Sequence, residues 1–280
     1  MNDRLLVWIL GVATFLVASL VVIISTFLVL ESLDVLNRVN WLRFLTDSDW
    51  LPTLGRFNIL PMIVASVLLM VGAVILAAPL AVLTAVFLRY YAVKPAAKVG
   101  RRIVEILAGI PSVVYGLWGL VVLVPIITAW RQPGASLLAG ILVLSLMIFP
   151  TITIVVDAGL KAVPSALHEA AQALAMSRPY MVRKVVLPSV KSSIAAGTTL
   201  GAARAVGETM AVLMVTGNIV AVPDDLFEPV RALTSNIALE MAYALGDHRG
   251  ALYVSSVLLL TVIICLVIIN EFFSSIRHSQ

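Results

Sequence analysis

Residues 200–215 read LGAARAVGETMAVLMV. The run has the apolar character of a membrane-spanning helix, yet Arg204 and Glu208 stand in its middle. The chain around it is 280 residues long, 61% hydrophobic and 12% charged, with a mean hydropathy of +1.07. Soluble domains lie nearer half apolar and a quarter charged, and several apolar runs here exceed the roughly 18–20 residues that cross a bilayer. The composition predicts an all-α polytopic membrane protein.

Six spans are expected, at about 7–30, 60–88, 104–129, 135–157, 193–216 and 251–270. The run from Leu5 to Leu30 is far longer than the roughly 7–15-residue core of a signal peptide, so it reads as a retained first span. Of the 19 Lys and Arg, 12 fall before span 1, between spans 2 and 3, between spans 4 and 5, or after span 6; six fall on the opposite side. Among the 12 are Arg4, Arg89, Lys94, Lys98, Arg101, Arg102 and Arg277. This bias places both termini in the cytoplasm. It also accounts for the net charge of +4 without any nucleic-acid partner. Nine of the 15 acids lie in the two outer loops, at about 31–59 and 217–250, where short interfacial helices are expected. Those acids either solvate the loops or help dock an external partner.

Catalytic signatures are missing from the sequence. There is no GxxxxGK[ST] run for ATP and no HExxH for zinc. His168, His248 and His278 are scattered, "ALGDH" at 244–248 lacks the first glycine of an intramembrane aspartyl-protease motif, and the single Cys265 lies in an apolar run. No metal or cofactor is expected. Trp8, Trp41, Trp50 and Trp130 fall near predicted interfaces, where indoles favour the headgroup zone. Pro111, Pro125 and Pro150 are expected to kink spans.

Either charge of the central pair, alone at mid-bilayer, would cost roughly 2.5–3.5 kcal/mol on insertion scales. In a continuous helix their i, i+4 spacing puts them one turn apart, close enough to neutralise each other. Gly197, Gly201, Arg204, Glu208 and Ala211 would then share a stripe about 80° wide. Gly197 and Gly201 form a GxxxG that admits a close helix neighbour. The pair is either an inert bridge between helices or the lining of a substrate route; an arginine in such a route suits oxyanions, phosphate above all. Thr209, beside the pair, and Tyr115 and Ser112 of the third span are candidate lining residues. Tyr115 is also a candidate buried anchor bonded to backbone.

The loop 158–192 carries two short helical patterns. "VPSALHEAAQAL" starts at Ser165, a candidate cap; in "AMSRPYMVRKVVLP", Pro179 opens a second helix after Ser177 and Pro188 ends it. Pattern alone leaves two readings open, an amphipathic connector on the membrane surface or a docking element for a cytoplasmic partner.

The stretch "EAAQALAMSRPYMVRKVVLP", 169–188, resembles the EAA loop of ABC-importer permeases, with Glu169, Ala170, Ala171, Val185, Leu187 and Pro188 at matching positions. The departure is Ala175, where those permeases carry glycine; if that position is left-handed, alanine costs about 1 kcal/mol there. "ILAGIPSVVYGLWGL" (106–120), "RFNILPMIVASVLL" (56–69) and "GAARAVGETMAVLMVTGN" (201–218) narrow the resemblance to phosphate-specific transport permeases, of the PstC rather than the PstA type.

The resemblance implies a MetI-like ABC importer permease fold with six transmembrane helices and cytoplasmic coupling helices between spans 4 and 5. It implies an N-terminal helix and outer loop over 1–55 and a permease domain over 56–275, with the coupling element at 165–188. It further implies a bacterial or archaeal cytoplasmic membrane, a PstA-like sister subunit, two PstB-like ATPase subunits and an external PstS-like phosphate-binding protein. The implied role is phosphate translocation by alternating access, with ATP hydrolysed elsewhere; molybdate, tungstate or phosphonate is the alternative cargo. Glu169, Ala170, Ala171, Ala175, Leu187 and Pro188 would meet the ATPase.

Overall fold

The computed structural model describes residues 3–275, with the side chains of 6–268. The Arg277 position and the Arg4 side chain, used in the topology argument, and the His278 position lie outside the described residues. The chain forms two compact units, Met1–Leu60 with Asn236–Val262, and Pro61–Ser235 with Ile263–Gln280.

In the first unit, α1 (Asp3–Arg38) runs eight residues beyond the expected end of span 1. A four-residue helix α2 (Arg43–Thr46) follows, then a small antiparallel hairpin, β1 (Trp50–Leu51) with β2 (Arg56–Phe57). The short helices expected over 31–59 are reduced to α2 and a 3-10 turn at Pro52–Leu54, and the hairpin is an addition to them. Its cause is local. Gly55 takes φ 69° at the turn, a conformation that favours glycine, and Asp47 Oδ2 accepts a hydrogen bond from the Phe57 N–H at 2.9 Å. Phe44 stacks on Phe57. Trp50, expected at the interface, is buried instead, and its Nε1 donates to Glu240 Oε2 at 2.8 Å. His248 Nε2 sits 2.8 Å from the same oxygen.

The outer acids are mostly used internally. Arg38 pairs with Asp247, Arg43 with Asp47, and Arg56 with Asp49. In the second unit Arg131 pairs with Asp225. These pairs offset much of the charge of the segments 31–59 and 217–250.

The second unit is built around α7 (Leu137–Lys161), whose buried residues run from Leu137 to Leu160. Ser136 caps it, accepting the Ala139 N–H. Lipid tails are as apolar as leucine, so helices in a bilayer associate by close packing rather than by escape from water. The sequence supplies that closeness with small residues. On α3 (Leu60–Val86), Ala65, Leu69, Ala73, Ala77, Ala81 and Ala85 are buried at steps of four. On α11 (Lys191–Gly207), Gly197 and Gly201 lie against Val155, Ile152 and Ile148 of α7. A Cβ on Gly201 would come within 2.9 Å of the Ile152 side chain. The expected GxxxG is thus used, with α7 as its neighbour.

Among the described residues, five helices are long and apolar enough to cross a membrane, against the six expected: Leu6–Arg38, Leu60–Tyr91, Ser112–Trp130, Leu137–Lys161 and Gly246–Ile268. Two of the expected spans are built differently. The third is divided: α4 (Lys94–Gly109) is an amphipathic helix that stops before Pro111, and the crossing segment is α5 (Ser112–Trp118), a π-helical turn Gly119–Leu123, and α6 (Val124–Trp130). The fifth is discontinuous, α11 followed by α12 (Met210–Val215). The chain then returns through α13 (Leu233–Glu240) to α14 (Gly246–Ser275).

Candidate functional site

The break in the fifth span falls on the charged pair. Helix α11 ends at Gly207, and Glu208 is extended, with φ −72° and ψ 128°. The predicted i, i+4 neutralisation therefore does not form. The reason is that a pair on one helical face needs an unbroken helix between its members, and the chain leaves the helix at Gly207. Glu208 Oε1 instead accepts the Ala211 N–H at 3.1 Å, capping the otherwise unpaired first turn of α12 with a negative charge at its positive end. The Glu208 carbonyl accepts from the Thr234 hydroxyl at 2.8 Å. Ser66, Leu69, Val212 and Thr234 enclose a small void beside Glu208.

Arg204 stays on the stripe with Gly197 and Gly201 and reaches across to α7, where Nη1 donates to Thr151 Oγ1 at 3.2 Å. Among the described residues it has no ion pair. Its side chain is half-buried, so a full positive charge faces the site held by one neutral hydroxyl. Thr209 is half-buried at the break, its hydroxyl turned to the Gly207 carbonyl.

Ala211 lies directly beneath α5: a Cβ on Gly116 would stand 2.7 Å from the Ala211 Cα. Immediately before Gly116, Tyr115 is buried, and its hydroxyl donates to the Leu107 carbonyl at 2.8 Å. This is the anchoring geometry anticipated for it. Ser112 starts α5, half-buried. The structure thus gathers Arg204, Glu208 and Thr209 at one helix break, with Tyr115 nearby.

The coupling segment is two helices joined by an elbow. α8 (Ser165–Ala173) begins at Ser165, but the cap position is Pro164, with no side-chain bond, so Ser165 is the first helical residue rather than a cap. After α8 the Ala175 N–H donates to the Gln172 carbonyl and the Met176 N–H to the Ala171 carbonyl. That double bond closes a helix end around a left-handed residue, and the left-handed residue is Ala175, at φ 49°. α9 (Arg178–Met181) opens at Ser177 with Pro179 in its first turn, as expected. It does not end at Pro188. A π-helical turn Val182–Val186 leads into α10 (Leu187–Ser189), where Pro188 sits in the first positions, which lack an intrahelical N–H bond anyway. Glu169, Ala170, Ala175 and Pro188 are exposed, Leu187 is half-buried and Ala171 is buried.

Two contacts at this end were not foreseen. Tyr90, in the π-helical turn Phe87–Tyr91 that ends the α3 span, stacks on His168 of α8 and hydrogen-bonds its Nε2 at 3.0 Å. Asp157, buried near the end of α7, takes Arg101 Nε at 3.1 Å and Lys161 Nζ at 2.6 Å. Arg101 also donates to the Leu88 carbonyl, so one carboxylate ties α4, α7 and the end of the α3 span together. The i, i+4 spacing of Asp157 and Lys161 was the available signal; Arg101, 56 residues earlier, carried none.

Broken membrane helices around Arg204, with an exposed helical elbow, fit a polytopic transport component. Comparisons with known proteins give the same class. Residues 77–275 match the family described as binding-protein-dependent transport system inner membrane component, and the chain belongs to that family. It is 36% identical over 264 residues to the probable ABC transporter permease protein YqgH of Bacillus subtilis, covering 91% of this chain and 85% of the relative. It is 34% identical over 242 residues to the phosphate transport system permease protein PstC of Mesorhizobium japonicum, covering 79% and 73%. Among solved structures it resembles a bacterial ABC transporter involved in import of the acidic polysaccharide alginate, with TM-score 0.60 at 16% identity over 98% and 99% of the two chains. It also resembles the inward-facing MetNI methionine transporter, with TM-score 0.59 at 20% identity over 77% and 92%. The fold is that of MetI-like ABC importer permeases. Membership implies an ATPase and a binding protein as partners.

Proposed function

We propose that this chain is the PstC-type permease subunit of a phosphate importer in a bacterial or archaeal cytoplasmic membrane, with both termini in the cytoplasm. The sequence relationship to PstC proteins supports the cargo, and the observation that carries the site is the state of Arg204. Its guanidinium has no carboxylate partner and stands at a helix break, ready to offset an arriving oxyanion. Glu208, Thr209, Tyr115 and Ser112 would complete the route.

The partners would be a PstA-like sister subunit, two PstB-like ATPases and an external PstS-like binding protein. ATP binding would close the ATPase pair and push the elbow at Glu169, Ala170, Ala171, Ala175, Leu187 and Pro188. The elbow grips the membrane helices in two ways, through the Tyr90–His168 contact with the α3 span and through the nearly continuous run from α9 into α11. Its displacement would tilt these helices and open the route outward; hydrolysis would reset it. Ligand-dependent differential binding drives such a switch between two packings.

Phosphate uptake by Arg204→Ala and Arg204→Lys, with assembly checked by co-purification of the ATPase, tests the reading. A hydrogen bond to a charged group is worth about 1.5–3 kcal/mol, so Arg204→Ala is expected to lower uptake about ten- to a hundredfold in an intact complex. Normal uptake, or a complex that falls apart, would make Arg204 a structural bridge. Stimulation of the reconstituted ATPase by loaded binding protein, compared for phosphate and molybdate, separates the cargoes.

A further inference from the structure

The second unit contains a cavity whose lining includes none of the residues at the Arg204 helix break. It lies between the end of the α3 span and the amphipathic helix α4, with a volume of about 810 Å³. Arg89, Lys94, Lys98, Arg101 and Arg102 line it, against a single acid, Glu105. Those six side chains carry a formal charge of +4, as much as the whole 280-residue chain. Arg101 is committed to Asp157. Among the described residues, Arg89, Lys94, Lys98 and Arg102 form no ion pair, in contrast to the outer arginines with their aspartate partners.

The cavity is also bordered by apolar side chains. Val99, on its wall, is exposed, and Leu88, Ala92 and Ala97 complete its apolar lining. A site for a small soluble anion has no need of an apolar rim. Basic groups grading into exposed apolar ones along one amphipathic helix match the boundary between headgroups and acyl chains. We infer that this cavity binds the phosphodiester headgroup of an anionic membrane lipid, with the acyl chains leaving it past Val99. The lipid would act as the counter-ion that the protein omits, holding α4 against the end of the α3 span beside the Tyr90–His168 contact. Nothing in this inference depends on the cargo.

Native mass spectrometry of the purified, delipidated importer complex, titrated separately with phosphatidylglycerol and phosphatidylcholine, provides the test. Phosphatidylglycerol is expected to be retained in preference to phosphatidylcholine, and millimolar inorganic phosphate is expected not to displace it. Each Lys or Arg near an anionic lipid is worth about fivefold in affinity. The double variant Lys98→Gln with Arg102→Gln, which spares the Asp157 cluster, is therefore expected to weaken retention about thirtyfold. Arg249→Gln, outside the cavity, is expected to leave it unchanged. Equal retention of the two lipids overturns the inference, as does retention unaffected by the double variant. Displacement by inorganic phosphate overturns it in favour of a soluble-anion site. The two wild-type measurements decide the matter even if the double variant fails to assemble.

Discussion

Glu208 was read from its spacing as the partner of Arg204, and in the structure it caps the next helix instead. That reassignment has a measurable consequence. Glutamine keeps an acceptor oxygen for the Ala211 N–H, whereas alanine removes it. In thermal unfolding of the purified complex, Glu208→Gln is expected to stay close to wild type and Glu208→Ala to lose about 1 kcal/mol, the usual value of a helix cap. Equal losses would remove the capping role. Gly116 gives a second test: alanine there would press on the Ala211 backbone, which cannot rotate away, so Gly116→Ala is expected to cost about 1–3 kcal/mol in the same assay. The residues of the site were legible in the sequence, since charge at mid-span is conspicuous. Their arrangement was not. Glycine is common within membrane helices, so Gly207 does not announce a helix end, and Thr151 is one of many hydroxyls.

At the scale of elements, the coupling elbow was the most legible feature, because E-A-A and L-P at fixed spacing are rare and Pro179 marks a helix start, although Pro188 reads as a helix end and in fact opens the next short helix. Its one departure is now explained in backbone terms. Ala175 occupies the left-handed position that glycine fills in related loops, and the strain of a left-handed alanine is about 1–2 kcal/mol. Ala175→Gly is expected to stabilise the elbow by up to about 1 kcal/mol, once the greater freedom of glycine in the unfolded chain is subtracted. A melting temperature lowered by this change would show that the turn is not strained. The Asp157 cluster lay beyond sequence reasoning because its members come from three elements brought together only by packing. Asp157→Asn leaves Arg101 and Lys161 facing each other without a counter-charge. A cost of about 2 kcal/mol is expected, less than for a fully buried pair because both cations are partly solvated; unchanged stability would mean that α4 is held by apolar contacts alone.

For the whole molecule, hydropathy located five of the six expected crossings among the described residues, while the hairpin at 50–57 and the ion pairs around it depended on contacts that a linear pattern does not encode. Hydropathy also smoothed over the discontinuity at Gly207, since α11 and α12 are both apolar enough to merge in a window. One further feature bears on how such a molecule moves. The buried face of α3 offers methyl groups at steps of four from Ala73 to Ala85, with no large side chain to lodge in a neighbour's groove. A face of this kind behaves as a rail: the helix can slip lengthwise past its cover without exchanging rotamers, the cheapest form of shear. Ala77→Leu would place a stop on that rail, and import is expected to fall while the subunits still co-purify. The stroke given at the elbow would then travel along α3 as translation rather than be absorbed as repacking.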